Sequence, residues 1–207
     1  IKYKDLNGDG VINNGDPNNK QHGVGTLENH GDLKVIGNEL PDFEYGITLG
    51  LDYKGFDFST YFQGVGSRDY WAYGNVAIPS GMSALDAIFT HQTDYWTPQN
   101  TDAFYPRPTD HNWVSDGQNF KIQDRYLSDM SYLRCKNITL GYSLPKNLLK
   151  KIDFQKVRVY FSAENMFTWD NMHLPVDPET TSWKGAWAFG RSYPYMKTIS
   201  FGVQAVF

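Results

Sequence analysis

The chain has 207 residues and a formal net charge of −4, so it lacks the basic field that attracts nucleic acid. Aromatic residues make up 16% of it, as 14 Tyr, 13 Phe and 6 Trp. No apolar run approaches the roughly 18 residues of a transmembrane helix, and a single cysteine, Cys135, excludes an internal disulfide.

The start, I-K-Y-K, has no Met and no signal peptide and reads as the middle of a longer chain. Residues 5–16, D-L-N-G-D-G-V-I-N-N-G-D, follow the twelve-position calcium loop. Asp5, Asn7 and Asp9 take its first three ligand positions, and Gly10 its sharp turn. Val11 offers a carbonyl, Asn13 comes next, and Asp16 closes the set. Calcium needs six to eight oxygens, and this spacing wraps them around one point. Asp at the last position replaces the usual Glu. No helical pattern flanks the loop, so a structural clamp for Ca2+ (or Mg2+) is expected rather than a sensor.

A polar, Gly- and Asn-bearing stretch leads to F-E-Y-G-I-T-L-G-L-D from Phe43 to Asp52. Phe43, Tyr45, Ile47, Leu49 and Leu51 share one face. Glu44, Gly46, Thr48, Gly50 and Asp52 share the other. After Tyr53-Lys54-Gly55, the residues Phe56, Phe58, Thr60 and Phe62 alternate with Asp57, Ser59, Tyr61 and Gln63, which predicts a hairpin over 43–66 with matched faces. Glu44 and Asp57 are the carboxylates that would face each other across it.

The connection over 67–131 is too long for a compact domain without a function of its own. It carries Trp71, Trp96 and Trp113, and 84–89 reads as a short helix. Two strands are predicted within 132–165. In the first, Ile138, Leu140 and Tyr142 form the apolar face, which Arg134 and Lys136 interrupt, so that half either rises above the membrane or follows a bulge. One or two helical turns begin at Pro145. In the second, Val157, Val159, Phe161 and Ala163 alternate with Arg158, Tyr160, Ser162 and Glu164. A second aromatic connection, 166–192, carries Trp169 and Trp183. The final strand, within 193–207, sets Ile199, Phe201, Val203, Ala205 and Phe207 against Thr198, Ser200, Gly202 and Gln204.

The final strand is long enough to cross a hydrocarbon layer when tilted, which takes about 9–11 residues. Short turns at one end and long connections at the other is the asymmetry of outer-membrane barrels. The predicted fold is therefore all-β: five strands of a transmembrane antiparallel barrel, with the long connections and the 1–42 segment outside the cell. Five strands cannot close a barrel, so a strand absent from this chain is expected beside 43–52. The Trp residues named above are candidates for substrate contact.

Several stretches together resemble the carboxy-terminal part of SusC/RagA-family TonB-dependent outer-membrane transporters. They are I-K-Y-K-D-L-N-G-D-G-V-I, P-D-F-E-Y-G-I-T-L-G-L-D-Y-K-G-F-D-F-S-T-Y-F-Q-G-V-G, T-D-Y-W-T-P-Q-N, Y-L-R-C-K-N-I-T-L-G-Y-S-L-P and S-A-E-N-M-F-T-W with D-P-E after it. The resemblance implies a barrel of roughly 22 strands, with a plug that is absent from this chain. It also implies a SusD-like surface lipoprotein partner, the TonB complex as energy source, and glycan or peptide as cargo. Residence in the outer membrane of a Bacteroidetes-like Gram-negative bacterium follows from it, as does a role for Phe207 in the assembly signal of the last strand. At the ninth loop position the family often carries an acidic residue where this chain has Asn13.

Two other classes fit the residues less well. An enzyme finds no G-x-S-x-G, no H-E-x-x-H and no Cys/His cluster; His22, His30, His91, His111 and His173 fall in predicted loops without metal spacing. A secreted, calcium-stabilised β-domain that binds carbohydrate requires a core packed between two sheets, which the polar alternate faces oppose.

Overall fold

The structure is a computed structural model that describes residues 3–15, 30–72, 76–77, 88–108, 121–150, 154–180 and 192–207. The chain divides into two compact units, Ile1–Gly37 with Pro79–Arg125, and Asn38–Ile78 with Tyr126–Phe207.

The second unit holds a five-stranded antiparallel sheet. Strands β1 (Phe43–Tyr53) and β2 (Phe56–Gly66) form the hairpin; β3 (Asp69–Trp71) and β4 (Leu127–Asp129) form a separate two-stranded ribbon. Then come β5 (Tyr132–Ser143), helix α1 (Lys146–Leu149), β6 (Lys156–Asp170) and β7 (Thr198–Val206), and the sheet order is β1-β2-β5-β6-β7. The last strand begins at Thr198, five residues after the start of the alternating segment at Tyr193, and β6 runs five residues past 165 to Asp170. The short ribbon was not foreseen, because three-residue strands show too little alternation to be read. The helix expected over 84–89 lies mostly outside the described residues.

The hairpin closes with Tyr53 opposite Phe56. Lys54 and Gly55 both have positive φ, 47° and 90°, as a two-residue turn matching the strand twist requires. The other short connection is bracketed by hydrogen bonds from Leu144 N to Val157 O (2.9 Å) and from Gln155 N to Val206 O (2.8 Å). Beyond β2 and β5 the chain continues into the β3–β4 ribbon, joined by Met130 N to Arg68 O at 2.7 Å.

The register carries the predicted faces across all five strands. Ile47 lies opposite Phe62, Phe58 opposite Leu140, Leu140 opposite Phe161, and Phe161 opposite Phe201. This apolar face is open: Leu51 is 65% exposed, Val203 70% and Phe201 81%, and no described residues form a second sheet over it. Burial concentrates instead at the end with the long connections, at Val65, Tyr70, Trp71, Met130 and Tyr132. That distribution is the reverse of a sandwich, whose apolar faces meet in a core.

The irregular first half of β5 is a bulge. Tyr61 pairs with Asn137 but Phe62 with Cys135, which leaves Lys136 as an extra residue. On the other side, Asn165 and Met166 fall between the pairs Asn137–Glu164 and Cys135–Phe167. Asn165 takes φ +52°, a left-handed conformation that Asn tolerates. Counting in twos, Arg134 belongs on the face of Ile138; the extra residue turns it to the polar face and brings Leu133 and Cys135 to the apolar one.

Candidate functional site

In the first unit, residues 5–15 fold as a loop tied by its own side chains. The Asp5 carboxylate accepts from Gly8 N (2.6 Å) and Gly10 N (2.8 Å); Asp9 Oδ1 accepts from Val11 N (2.7 Å) and Asn7 Oδ1 from Asp9 N (3.0 Å). Asn13 accepts from Gly15 N at 2.7 Å and donates to the Val11 carbonyl at 3.2 Å. Gly10, at φ +82°, supplies the reversal expected of it. The described loop passes through Asp5, Asn7, Asp9, Val11 and Asn13, while Asp16 lies outside the described residues. Among the described residues, no group of three or more His, Cys, Asp or Glu is gathered as a metal cluster.

Asp32 is a residue the motif did not reveal. Its carboxylate accepts from Leu6 N (2.6 Å) and Asn13 N (2.8 Å), and its own N–H donates to Asn13 O at 2.9 Å, so it fastens one end of the loop to the other. The Asn13 and Leu6 N–H groups hold its carboxyl below the usual carboxylate range. Nothing local signals this partner, which is 19 residues from Asn13.

The polar face of the sheet carries two ionic groups. Near the short connections, Arg158 forms a forked ion pair with Asp57, its Nε donating to Oδ1 at 2.9 Å. A Cβ on Gly141, in the strand between, would collide with both. The supposed facing of Glu44 and Asp57 does not occur: Asp57 lies opposite Asp52, and Glu44 opposite Val65 at the other end of the hairpin. Matching the hairpin from its turn outward separates the two carboxylates by almost its full length.

At the other end, Arg134 and Lys136 meet Asp177 and Glu179 of the connection that follows β6. Arg134 pairs with Asp177 at 2.9 Å and Glu179 at 3.2 Å, and Lys136 with Glu179 at 2.9 Å. The Arg134, Asp177 and Glu179 side chains are 4%, 5% and 9% exposed. Tyr195 lies against both cations, its ring 5.3 Å from the Arg134 guanidinium and 4.3 Å from the Lys136 ammonium.

The aromatic candidates do not gather into one site. Trp71 is buried in β3, opposite Leu127, and Trp96 lies in the other unit, its N–H bonded to Tyr105 O at 3.0 Å. Trp169 is on the apolar face of β6, opposite Leu133 and stacked on Phe167. With Phe43, Tyr45 and Leu133 it lines a cleft of 510 Å³ at the end with the long connections. Trp113 and Trp183 lie outside the described residues. Phe207 follows β7, its ring 6.5 Å from Phe154.

An antiparallel sheet with one open apolar face and one charged, Tyr- and Ser-bearing face has the division of a membrane barrel wall. No protein-family model matches the chain. TonB-dependent receptor P3 of Formosa agariphila is 31% identical over 185 residues, which is 85% of this chain and 17% of that receptor. TonB-dependent receptor SusC of Bacteroides thetaiotaomicron is 28% identical over 182 residues, 87% of this chain and 17% of its own length. Among solved structures, the RagAB peptide importer in its closed-closed and open-open states aligns with TM-scores of 0.62 and 0.63. Those alignments cover 90% and 91% of this chain and 19% of the importer chain in each state, at 21% identity. The chain is thus a distant relative of the SusC/RagA-family TonB-dependent receptors over most of its length. It spans under a fifth of the length of the curated relatives it matches. These relatives are receptors and transporters, not enzymes.

Proposed function

We propose that this chain forms part of the wall and outer loops of an outer-membrane β-barrel that imports oligosaccharide or peptide nutrients, energised through TonB and working with a SusD-like lipoprotein. The observation that carries the reading is the open apolar face, continuous over five strands of 9 to 15 residues. In water such a face would have to be covered; in a bilayer it is already solvated. The opposite face, with Arg158, Asp57, Tyr160 and Ser162, suits a watery lumen. The short connections then point to the periplasm and the long ones outward. A peptide cargo and a lipoprotein partner gain support from the alignment to RagAB, a peptide importer.

The 5–16 loop is proposed to hold Ca2+, or Mg2+, in a structural role. Its support is the folded succession of Asp5, Asn7, Asp9, Val11 and Asn13, whose oxygens keep lone pairs beyond those given to backbone N–H groups. When bound, the ion would draw these oxygens together and stiffen the loop.

The test is uptake by cells that make the full-length protein, with fluorescein-labelled maltoheptaose and a fluorescein-labelled casein digest as probes. One probe should accumulate, and accumulation should fall to background when TonB is deleted. Accumulation that survives loss of TonB, or recovery of the full-length protein in the soluble fraction, would overturn the reading.

A further inference from the structure

Residues 171–197 leave β6 and return as β7, and the two limbs of this connection are fastened to each other and to the sheet by one network with a buried ionic centre. From the outgoing limb, Asp177 accepts the Tyr195 N–H of the returning limb at 3.1 Å. Asn165, the left-handed residue of the bulge, donates to Met196 O at 3.2 Å. Asp177 also accepts Glu179 N at 2.9 Å, which folds the D-P-E segment back on itself and aims both carboxylates at β5. Arg134 and Lys136 answer them with two positive charges against two negative. Arg134 directs Nη2 toward Asp177 and donates from Nε to Thr168 Oγ1 at 2.9 Å, while Nη1 lies 3.2 Å from Glu179 Oε1 as an ion pair without a hydrogen bond. Leu174 and Pro178 are buried in the same limb.

We propose that Arg134, Lys136, Asp177, Glu179 and Tyr195 form a charge lock that keeps the neck of this connection shut against the polar face, with Arg134 as its positioning residue. Three features separate a lock from incidental surface pairing. The Arg134, Asp177 and Glu179 charges are almost fully removed from water, so each depends on its partners and the limb cannot lift by small steps. The bulge at Lys136 is what turns Arg134 and Lys136 toward the limb. Tyr195 lies over both cations, so release of either limb uncovers the charges that hold the other. The lock's place at the outer mouth of a passage rests on the import reading above; the lock itself does not. There it makes the neck a fixed constriction of the mouth, not a lid that swings with each cargo.

The experiment uses purified full-length protein in detergent, carrying Leu174→Cys, and reads the rate of modification by a polar maleimide. Cys135, buried in the sheet, supplies the baseline. The introduced thiol should react slowly in the otherwise unaltered protein, and at least about tenfold faster with Glu179→Gln or Arg134→Met. The conservative variant Lys136→Arg should keep the reaction slow, because a cation still faces Glu179. Equal slow rates in every variant would show that packing, not charge, holds the neck, and would overturn the proposal. Fast reaction without any charge variant would overturn it too. Because labelling needs no cargo, failure of both probes to enter cells would defeat the import reading and leave this result standing.

Discussion

The carboxyl of Asp177 sits under two opposed influences. Burial pushes its pKa up, while Arg134 and the backbone N–H groups of Glu179 and Tyr195 outweigh burial and hold it below the usual carboxylate range. A depressed carboxyl pKa contributes stability that is present above the unfolded value, about 3.9, and is lost as pH falls through the folded one. The neck of the 171–197 connection should therefore stay shut at neutral and mildly acidic pH and open only below about pH 4. Limited pepsin digestion between pH 5 and pH 2 checks this. Asp177→Asn should be cut in that connection at pH 5, where the unaltered protein resists. In the other unit, Asp9→Ala should weaken binding of Tb3+, a luminescent stand-in for Ca2+, by tenfold or more. Unchanged luminescence titrations would remove the metal from the 5–16 loop.

Elements show how few residues decide which way a strand faces. Deleting Cys135 and Lys136 together removes the bulge and one further residue, so strict alternation from Asn137 sends Arg134 to the apolar face and Leu133 to the polar one. The expected outcome is a full-length protein that fails to form the compact, heat-modifiable band of a folded barrel on a denaturing gel run without boiling. Gly55→Ala should be milder. The position has φ +90°, and an added Cβ would come within 3.0 Å of the Ser143 carbonyl. A cost of about 1–2 kcal/mol should appear as a lower urea midpoint with the same fold. The strands themselves were legible because long alternation is hard to mistake, and each overlaps a segment read from period two, β6 running five residues beyond its own. The β3–β4 ribbon was not, since its three-residue strands are held by position beside β2 and β5. The bulge was legible only as an anomaly: two cations where the pattern calls for apolar residues. What resolved it was register across two neighbouring strands, which one strand's sequence does not contain.

For the whole sheet, the outer edges of β1 and β7 pair with no other described strand, and every unpaired N–H and C=O in hydrocarbon costs several kcal/mol. The sheet therefore needs further strands on both sides before it can sit stably in a membrane. Produced alone, the 207-residue chain should collect in the insoluble fraction or require detergent, its open apolar face and free edges driving association. A monodisperse, detergent-free monomer by light scattering would contradict the membrane reading. The same sheet within the full-length protein should resist such association.

The sequence by itself determined the strands, the division of their faces, the hairpin, the order of residues in the 5–15 loop and the family likeness, because each is written in spacings of two to twelve residues. Tertiary structure decided which charges meet. Asp57 finds Arg158, 101 residues away and across the gap that Gly141 leaves, instead of Glu44. Asp32 ties off a loop begun at Asp5. The D-P-E segment locks onto Arg134 and Lys136. Pairing of this kind depends on register, bulges and the path of long connections. Those are set by the free energy of the assembled sheet, in which a buried charge must find its opposite wherever along the chain it lies.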